Sequence, residues 1–359
     1  MSTQPLSEST NQPKKRNFDI SYIKGFAILA IMLIHLLDWG DVAISPTGRL
    51  LKQILFIGVV FFMVTSGSVV WIAYGKSSDM VRSTKRLLRR GLELIAVYYI
   101  YNIVKFAVFD FTKENFYGGY ISRDIFNWSG ILTLKSFAVP IPILVTIGIF
   151  ICISPLFLFL LQRVKWGVLY VYALLAVVLF ANYVLPLPQN FLTNFLYARG
   201  NILFAPLPWF TAFLLGLLLA YHGFDKKKKL FLRIFSLSIP FTFWYAQSKG
   251  FSFFLDESLH PLQPHALGIS FVFMFLLLYF FEAVEKYKQK KFVLFFLATF
   301  RLLGDFTLWL YIAHWIMIDV VLWIFAPKSY LVWVGMFFLL CTFFYSKRKM
   351  LQKYVQEYL

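Results

Sequence analysis

A chain of 359 residues that is 60% hydrophobic and only 14% charged lies above the roughly 45–50% apolar share of soluble domains. Its mean hydropathy of +0.70 comes with repeated apolar runs of about twenty residues. Each can cross a hydrocarbon core of about 30 Å as a helix, which excludes a soluble enzyme. A formal charge of +18 would point to nucleic acid in a soluble protein, but these cations sit between the apolar runs, so no nucleic-acid partner is expected.

The polar N-terminal stretch ends in Lys14, Lys15 and Arg16, and the apolar run Ile20–Leu37 follows without a small-residue cleavage site. It reads as a retained first span rather than a removable signal. Hydropathy places ten spans, at 20–40, 51–73, 91–110, 138–161, 167–186, 202–221, 230–247, 265–285, 304–326 and 329–346. Of the 35 lysines and arginines, 24 sit in the N-terminal tail or after an even-numbered span, and eight lie in the opposite loops. The positive-inside rule then puts both termini in the cytoplasm.

The expected architecture is an all-α, polytopic transmembrane bundle of about ten spanning helices in the cytoplasmic membrane. A basic tail at 1–17 precedes a membrane domain at 18–346. A second basic tail at 347–359 reads as a short amphipathic helix attracted to anionic lipid. The longest hydrophilic stretches are about two dozen residues, too short for a soluble domain, so the chemistry belongs in or at the membrane. Cys152 and Cys341 fall inside apolar runs and read as buried thiols, not as a disulfide framework. The mixed aromatic and polar loops 111–130 and 248–263 suit sugar contact or an interfacial belt. No internal repeat supports an inverted-repeat transporter.

A charged side chain at mid-membrane costs about 2.5–3.5 kcal/mol on insertion scales, so ionisable residues within the spans are the functional candidates. The first span carries Asp19, Lys24, His35 and Asp38. Lys24 and His35 are three helical turns apart, on one face and separated by about 16 Å. Lys24 sits near the inner boundary, where it either snorkels to the interface or meets a ligand. His35 lies in the outer half, either as a buried neutral imidazole or as a catalytic one. Asp38 can orient its ring or sit solvated at the rim.

After the second span come Arg82, Lys85, Arg86, Arg89 and Arg90, then Glu93. Topology alone explains the cations, but Arg86 and Arg89 share a face and Glu93 can pair with Arg89 or Arg90. Guanidinium forks held there suit a phosphate-rich donor or acidic lipid head groups. The second span holds Gly58 and Ser66-Gly67-Ser68, which helix packing would explain. The ninth carries Asp305, Thr307, Tyr311, His314 and Asp319, and a second intramembrane histidine points to a polar cavity. His222, His260 and His265 lack ligand-like spacing, so no metal site is expected.

Taken together these segments resemble the integral-membrane acyltransferase 3 family. Lys24-Gly25-Phe26-Ala27 with His35 is similar to the family's opening basic residue and histidine, with lysine in place of the usual arginine. The run from Gly58 to Gly67 resembles its Gly-Val, Phe-Phe, Ser-Gly helix, with one extra residue before Ser66-Gly67. Arg86-Leu87-Leu88-Arg89 resembles its Arg-x-x-Arg pair, and Phe213-Leu214-Leu215-Gly216 its Phe-Leu-Leu-Gly helix. The stretch Leu303-Gly304 to Tyr311 and His314 is similar to its late segment. The Trp-x-Leu-x-x-Glu signature is missing from Pro140–Gly148, so no role for a carboxylate carries over.

The resemblance implies an O-acetyltransferase that moves an acyl group, expected to be acetyl, from acyl-coenzyme A to a hydroxyl of a cell-surface or lipid-linked carbohydrate. It implies no tightly bound cofactor, and a single-component enzyme without a fused hydrolase-like domain. His35 would be the general base. Lys24, Arg86 and Arg89 would bind the donor's anionic part, and Ser66 and Tyr311 would hydrogen-bond the carbonyl oxygen, with Asp38 and His314 in support. N-acetylation of a terminal glucosamine and a non-catalytic glycan or lipid transporter are the alternative readings.

Overall fold

A computed structural model of the chain describes residues 18–39, 45–108, 142–183, 206–250, 262–325 and 329–358. The tail 1–17, the loop 111–130, His260 and most of the loop 248–263 lie outside them. The described residues are 91% helical with no strands. We number the helices α1 Phe18–Trp39, α2 Pro46–Tyr74, α3 Met80–Val108, α4 Pro142–Arg163, α5 Gly167–Tyr183 and α6 Pro206–Tyr221. Then come α7 Phe224–Ser248, α8 Pro264–Glu285, α9 Lys291–Asp305, α10 Thr307–Phe325, α11 Ser329–Ser346 and α12 Arg348–Tyr358.

Where they are described, the ten expected segments are helical, with 304–326 divided between two helices. Four described helices are long and apolar enough to cross a membrane unaided, α1, α2, α4 and α8, and the number rises to six if two bent pairs each count as one span. Those pairs are α9 with α10, bent by 78°, and α11 with α12, bent by 63°. Helices α5 and α6 are apolar but shorter, and α3 and α7 each open on a run of cations.

Local chemistry sets the boundaries. Pro46 supplies a helix-ready φ for the first turn of α2, while the Ser45 hydroxyl accepts the Gly48 N–H at 3.0 Å. The late segment read as one helix breaks at Phe306, whose φ of −107° and ψ of 17° leave the helical range. The reason is the docking of α9: Gly304 lies on the Ser21 carbonyl of α1, and Asp305 accepts hydrogen bonds from Ser21 and Tyr354. Asp305 therefore belongs to a different helix from Tyr311, His314 and Asp319.

Two close crossings hold the centre. A methyl group on Gly67 would sit 1.9 Å from the Phe213 carbonyl oxygen of α6, and one on Gly216 would sit 1.9 Å from the Val64 carbonyl oxygen of α2. Ser68 adds a 2.9 Å hydrogen bond from its hydroxyl to the Gly216 carbonyl. Gly25 and Gly304 do the same for α1 against α9, at 2.1 Å from the Phe300 oxygen and 1.9 Å from the Ser21 oxygen. Small residues matter here because lipid offers no hydrophobic drive for helix association, which leaves close packing and interhelical hydrogen bonds.

Candidate functional site

Helix α1 lies at the centre, packed against α2, α9 and α10. Toward its N-terminal end a cavity of about 590 Å³ opens between α1, α2, α3, α4 and α10. Its walls are mainly aliphatic, among them Val69, Leu87, Leu94, Leu144 and Ile147. Its polar groups are Lys24, Thr65, Ser66, Tyr74, Arg90, Glu93 and Thr307. Arg90 and Glu93 are joined at 2.9 Å, and the same carboxylate accepts Arg89 Nε at 2.9 Å, so both pairings expected for Glu93 form together.

The cations after α2 differ in their relation to the cavity. All three of Arg86, Arg89 and Arg90 are exposed, but only Arg90 is part of the cavity lining. Arg89 and Arg90 are adjacent in sequence and therefore about 100° apart around α3, which sends one into the lining and leaves the other beside it.

The second helix sorts its small residues similarly. Gly67 and Ser68 face α6, while Ser66 faces the cavity with its hydroxyl donated to the Phe62 carbonyl at 2.7 Å. Phe62, in the cavity lining, stacks on Tyr311 of α10 at 5.7 Å between ring centroids. Tyr311 packs edge-on against His314 at 5.4 Å, and His314 lies 5.5 Å from His35 with the two rings 21° from parallel. Trp315 closes the cluster, 4.2 Å from His35 and 5.4 Å from His314.

His35 thus faces α10 rather than lipid. Thr307 and Leu308 of α10 line the cavity, and His314 follows one to two turns deeper, about 9 Å beyond Leu308. His314 is fully buried, and its Nδ1 lies 3.0 Å from the Leu310 carbonyl oxygen. A carbonyl only accepts, so Nδ1 carries the proton and Nε2 presents a lone pair. That nitrogen has no hydrogen-bond partner among the described residues. Asp38 holds Lys52 of α2 at 2.6 Å, one turn further along α1.

Further along α10, Asp319 forms a 3.0 Å ion pair with Lys105 of α3 and accepts a hydrogen bond from the Tyr101 hydroxyl. Lys105 was not singled out by sequence reasoning, although a lysine in the apolar stretch of α3 was a signal of the same kind as Lys24. The remaining histidines stand apart. His222 makes a 2.8 Å contact with the Tyr172 hydroxyl, and burial lowers the pKa of its ring, helped by the charge of Lys227. His265 is buried in the first turn of α8. Among the described residues no three His, Cys, Asp or Glu side chains gather as a metal ion would require.

An all-helical membrane protein with a cavity whose charged lining is Lys24, Arg90 and Glu93, and a histidine pair further along α10, is the class that fold and geometry define. The acyltransferase 3 family, described as an acyltransferase domain, matches residues 17–347. The chain belongs to that family and is a membrane acyltransferase. No curated protein and no solved structure matches it.

Proposed function

We propose that the protein transfers an acyl group, acetyl or similarly short, from acyl-coenzyme A to a hydroxyl of a cell-surface or lipid-linked carbohydrate, working in the cytoplasmic membrane with both termini inside. The observation that carries this reading is the alignment of cavity and histidine. Lys24 and Arg90 border a cavity of about 590 Å³, and His35 stands beyond its floor, packed on α10 inside the bundle. The cations match the phosphates of coenzyme A, and Arg86 and Arg89, exposed beside Arg90, add to the attracting field. The cavity is the path for the donor's slender arm, and the Phe62–Tyr311 pair stands between it and the imidazoles.

His35 acts as general base. A sugar hydroxyl is a weak nucleophile until its proton leaves in the transition state, and a neutral imidazole takes that proton. The oxygen attacks the thioester carbonyl, the carbon–sulfur bond breaks, and the departing thiolate takes the proton back from His35. Ser66 and Tyr311 serve the carbonyl oxygen as donors once the Ser66 hydroxyl turns from the Phe62 carbonyl.

The test is incubation of membranes with acetyl-coenzyme A labelled in the acetyl group. Label should pass to a carbohydrate, be released by mild base as an ester, and disappear in His35→Ala at an unchanged protein level. Base-stable label would mean an amide and an amino-sugar acceptor. Transport of glycan without any labelled product would replace the enzyme reading with a transporter.

A further inference from the structure

We propose that His314 is the proton-side partner of His35, a positioning residue whose Nε2 accepts a hydrogen bond from the protonated His35 ring while the acyl group is in transfer. The inference rests on the reading of His35 as base and adds the group that steadies its charge.

Three observations point to it. The contact of Nδ1 with the Leu310 carbonyl at 3.0 Å fixes the tautomer and leaves Nε2 as an acceptor. That lone pair is fully buried and has no partner among the described residues, a condition that costs about 1–3 kcal/mol and is retained where a group is to be met in function. The two rings lie 5.5 Å apart at 21°. Two imidazoles joined by an N–H···N bond of about 3 Å have centroids about 5 Å apart, so these stacked rings already stand at the required separation, and a turn of the His35 ring out of the stack directs its N–H at Nε2.

The timing favours catalysis. At rest His314 Nε2 has no hydrogen-bond partner among the described residues, although neutral His35, with its lone pair toward the hydroxyl, carries its single N–H on the other nitrogen. When the hydroxyl O–H breaks and its proton moves to His35, the ring becomes a cation with a new N–H facing the departing sulfur, and the N–H it already carried on the other nitrogen becomes a stronger donor to His314. A bond to a charged ring is stronger than one to a neutral ring, so the gain falls on the transition state rather than the resting enzyme. His35 then gives one proton to the thiolate, the carbon–sulfur bond having broken, and His314 ends with the proton count it began with. Trp315 packs against both rings and keeps them side by side. Among the described residues, the titratable groups near the pair include Tyr311 of α10, Asp38 of α1 and Lys52 of α2.

The experiment compares the full-length protein with His314→Leu and His314→Gln in detergent, using acetyl-coenzyme A and following both thiol release and labelled ester. Leucine fills the space without a lone pair, and the glutamine carbonyl can accept. The expected result is a kcat lowered about tenfold to a hundredfold in His314→Leu with both KM values unchanged, and a substantial return of kcat in His314→Gln. Thermal unfolding and the KM for the donor report whether each variant is folded. Equal kcat in wild type and His314→Leu overturns the proposal, as does equal loss in both variants when both are folded. A wild-type protein that turns over no donor overturns the acyltransferase mechanism and this pair with it, whereas wild-type turnover indifferent to His314 removes the pair alone.

Discussion

Lys105 Nζ and Asp319 Oδ1 lie 3.0 Å apart, with 1% and 2% of their side chains exposed, and join α3 to α10 beyond the histidine cluster. Removing one partner of such a pair leaves a buried charge, at a cost of about 3–5 kcal/mol, whereas replacing both by apolar groups can be neutral. Lys105→Met and Asp319→Leu should each lower the thermal unfolding temperature clearly, and the double variant should recover much of the loss. A double variant that is less stable than either single one would show the pair to be strongly net stabilising.

Gly67 and Gly216 set the approach of α2 to α6. Gly67→Ala places a methyl 1.9 Å from a carbonyl oxygen that belongs to a helix backbone, so the helices must separate. A loss of at least about 1–3 kcal/mol is expected, read as reduced yield of folded protein and a lower unfolding temperature. Gly268→Ala is the control: its nearest neighbour is the Ser238 hydroxyl at 3.7 Å, ordinary contact, and stability should hold.

Helix α12 is bound more specifically than its amphipathic sequence implies. Tyr354 donates to Asp305 at 2.6 Å and lies 3.9 Å from the guanidinium of the buried Arg301, which pairs with Glu357 at 2.6 Å. Tyr354→Phe keeps the ring and removes the hydroxyl, so a loss of about 1–2 kcal/mol is expected on unfolding. An unchanged unfolding temperature would reduce the contact to a surface one.

Donor binding should separate the cations. Lys24→Met, at the cavity wall, should raise the KM for acyl-coenzyme A about tenfold with little change in kcat. Arg86→Gln, exposed and outside the lining, should change KM only a few-fold, with an effect that fades as salt rises. Steady-state kinetics at two ionic strengths distinguishes them, and an equal, salt-independent effect of both would move the phosphate site out to Arg86.

Much of the helical layout was readable from composition and period. Apolar runs of membrane length appear in the fold as helices, because backbone groups removed from water must bond within their own segment. Lys24 and His35 share a face by spacing alone, and the geometry agrees, with Lys24 at the cavity and His35 against α10. The Glu93 pairings were equally local, since residues three and four apart on a helix always meet. Helix α9 escaped notice because an amphipathic helix has no long apolar run, and the break at Phe306 is made by contacts with α1 and α12 that are distant in sequence.

By itself, then, the amino-acid order determined what short-range chemistry can specify: helix positions, the face each charged residue occupies, and the glycines that permit close approach. Only the tertiary structure decided which residues from different helices meet. It put His314 and Trp315 against His35, paired Lys105 with Asp319, and turned Arg90 rather than Arg89 into the cavity wall. The physical reason is that periodicity reports a side chain's direction around its own axis, while the neighbour it finds depends on how two helices cross and slide, which close packing settles for the whole bundle at once.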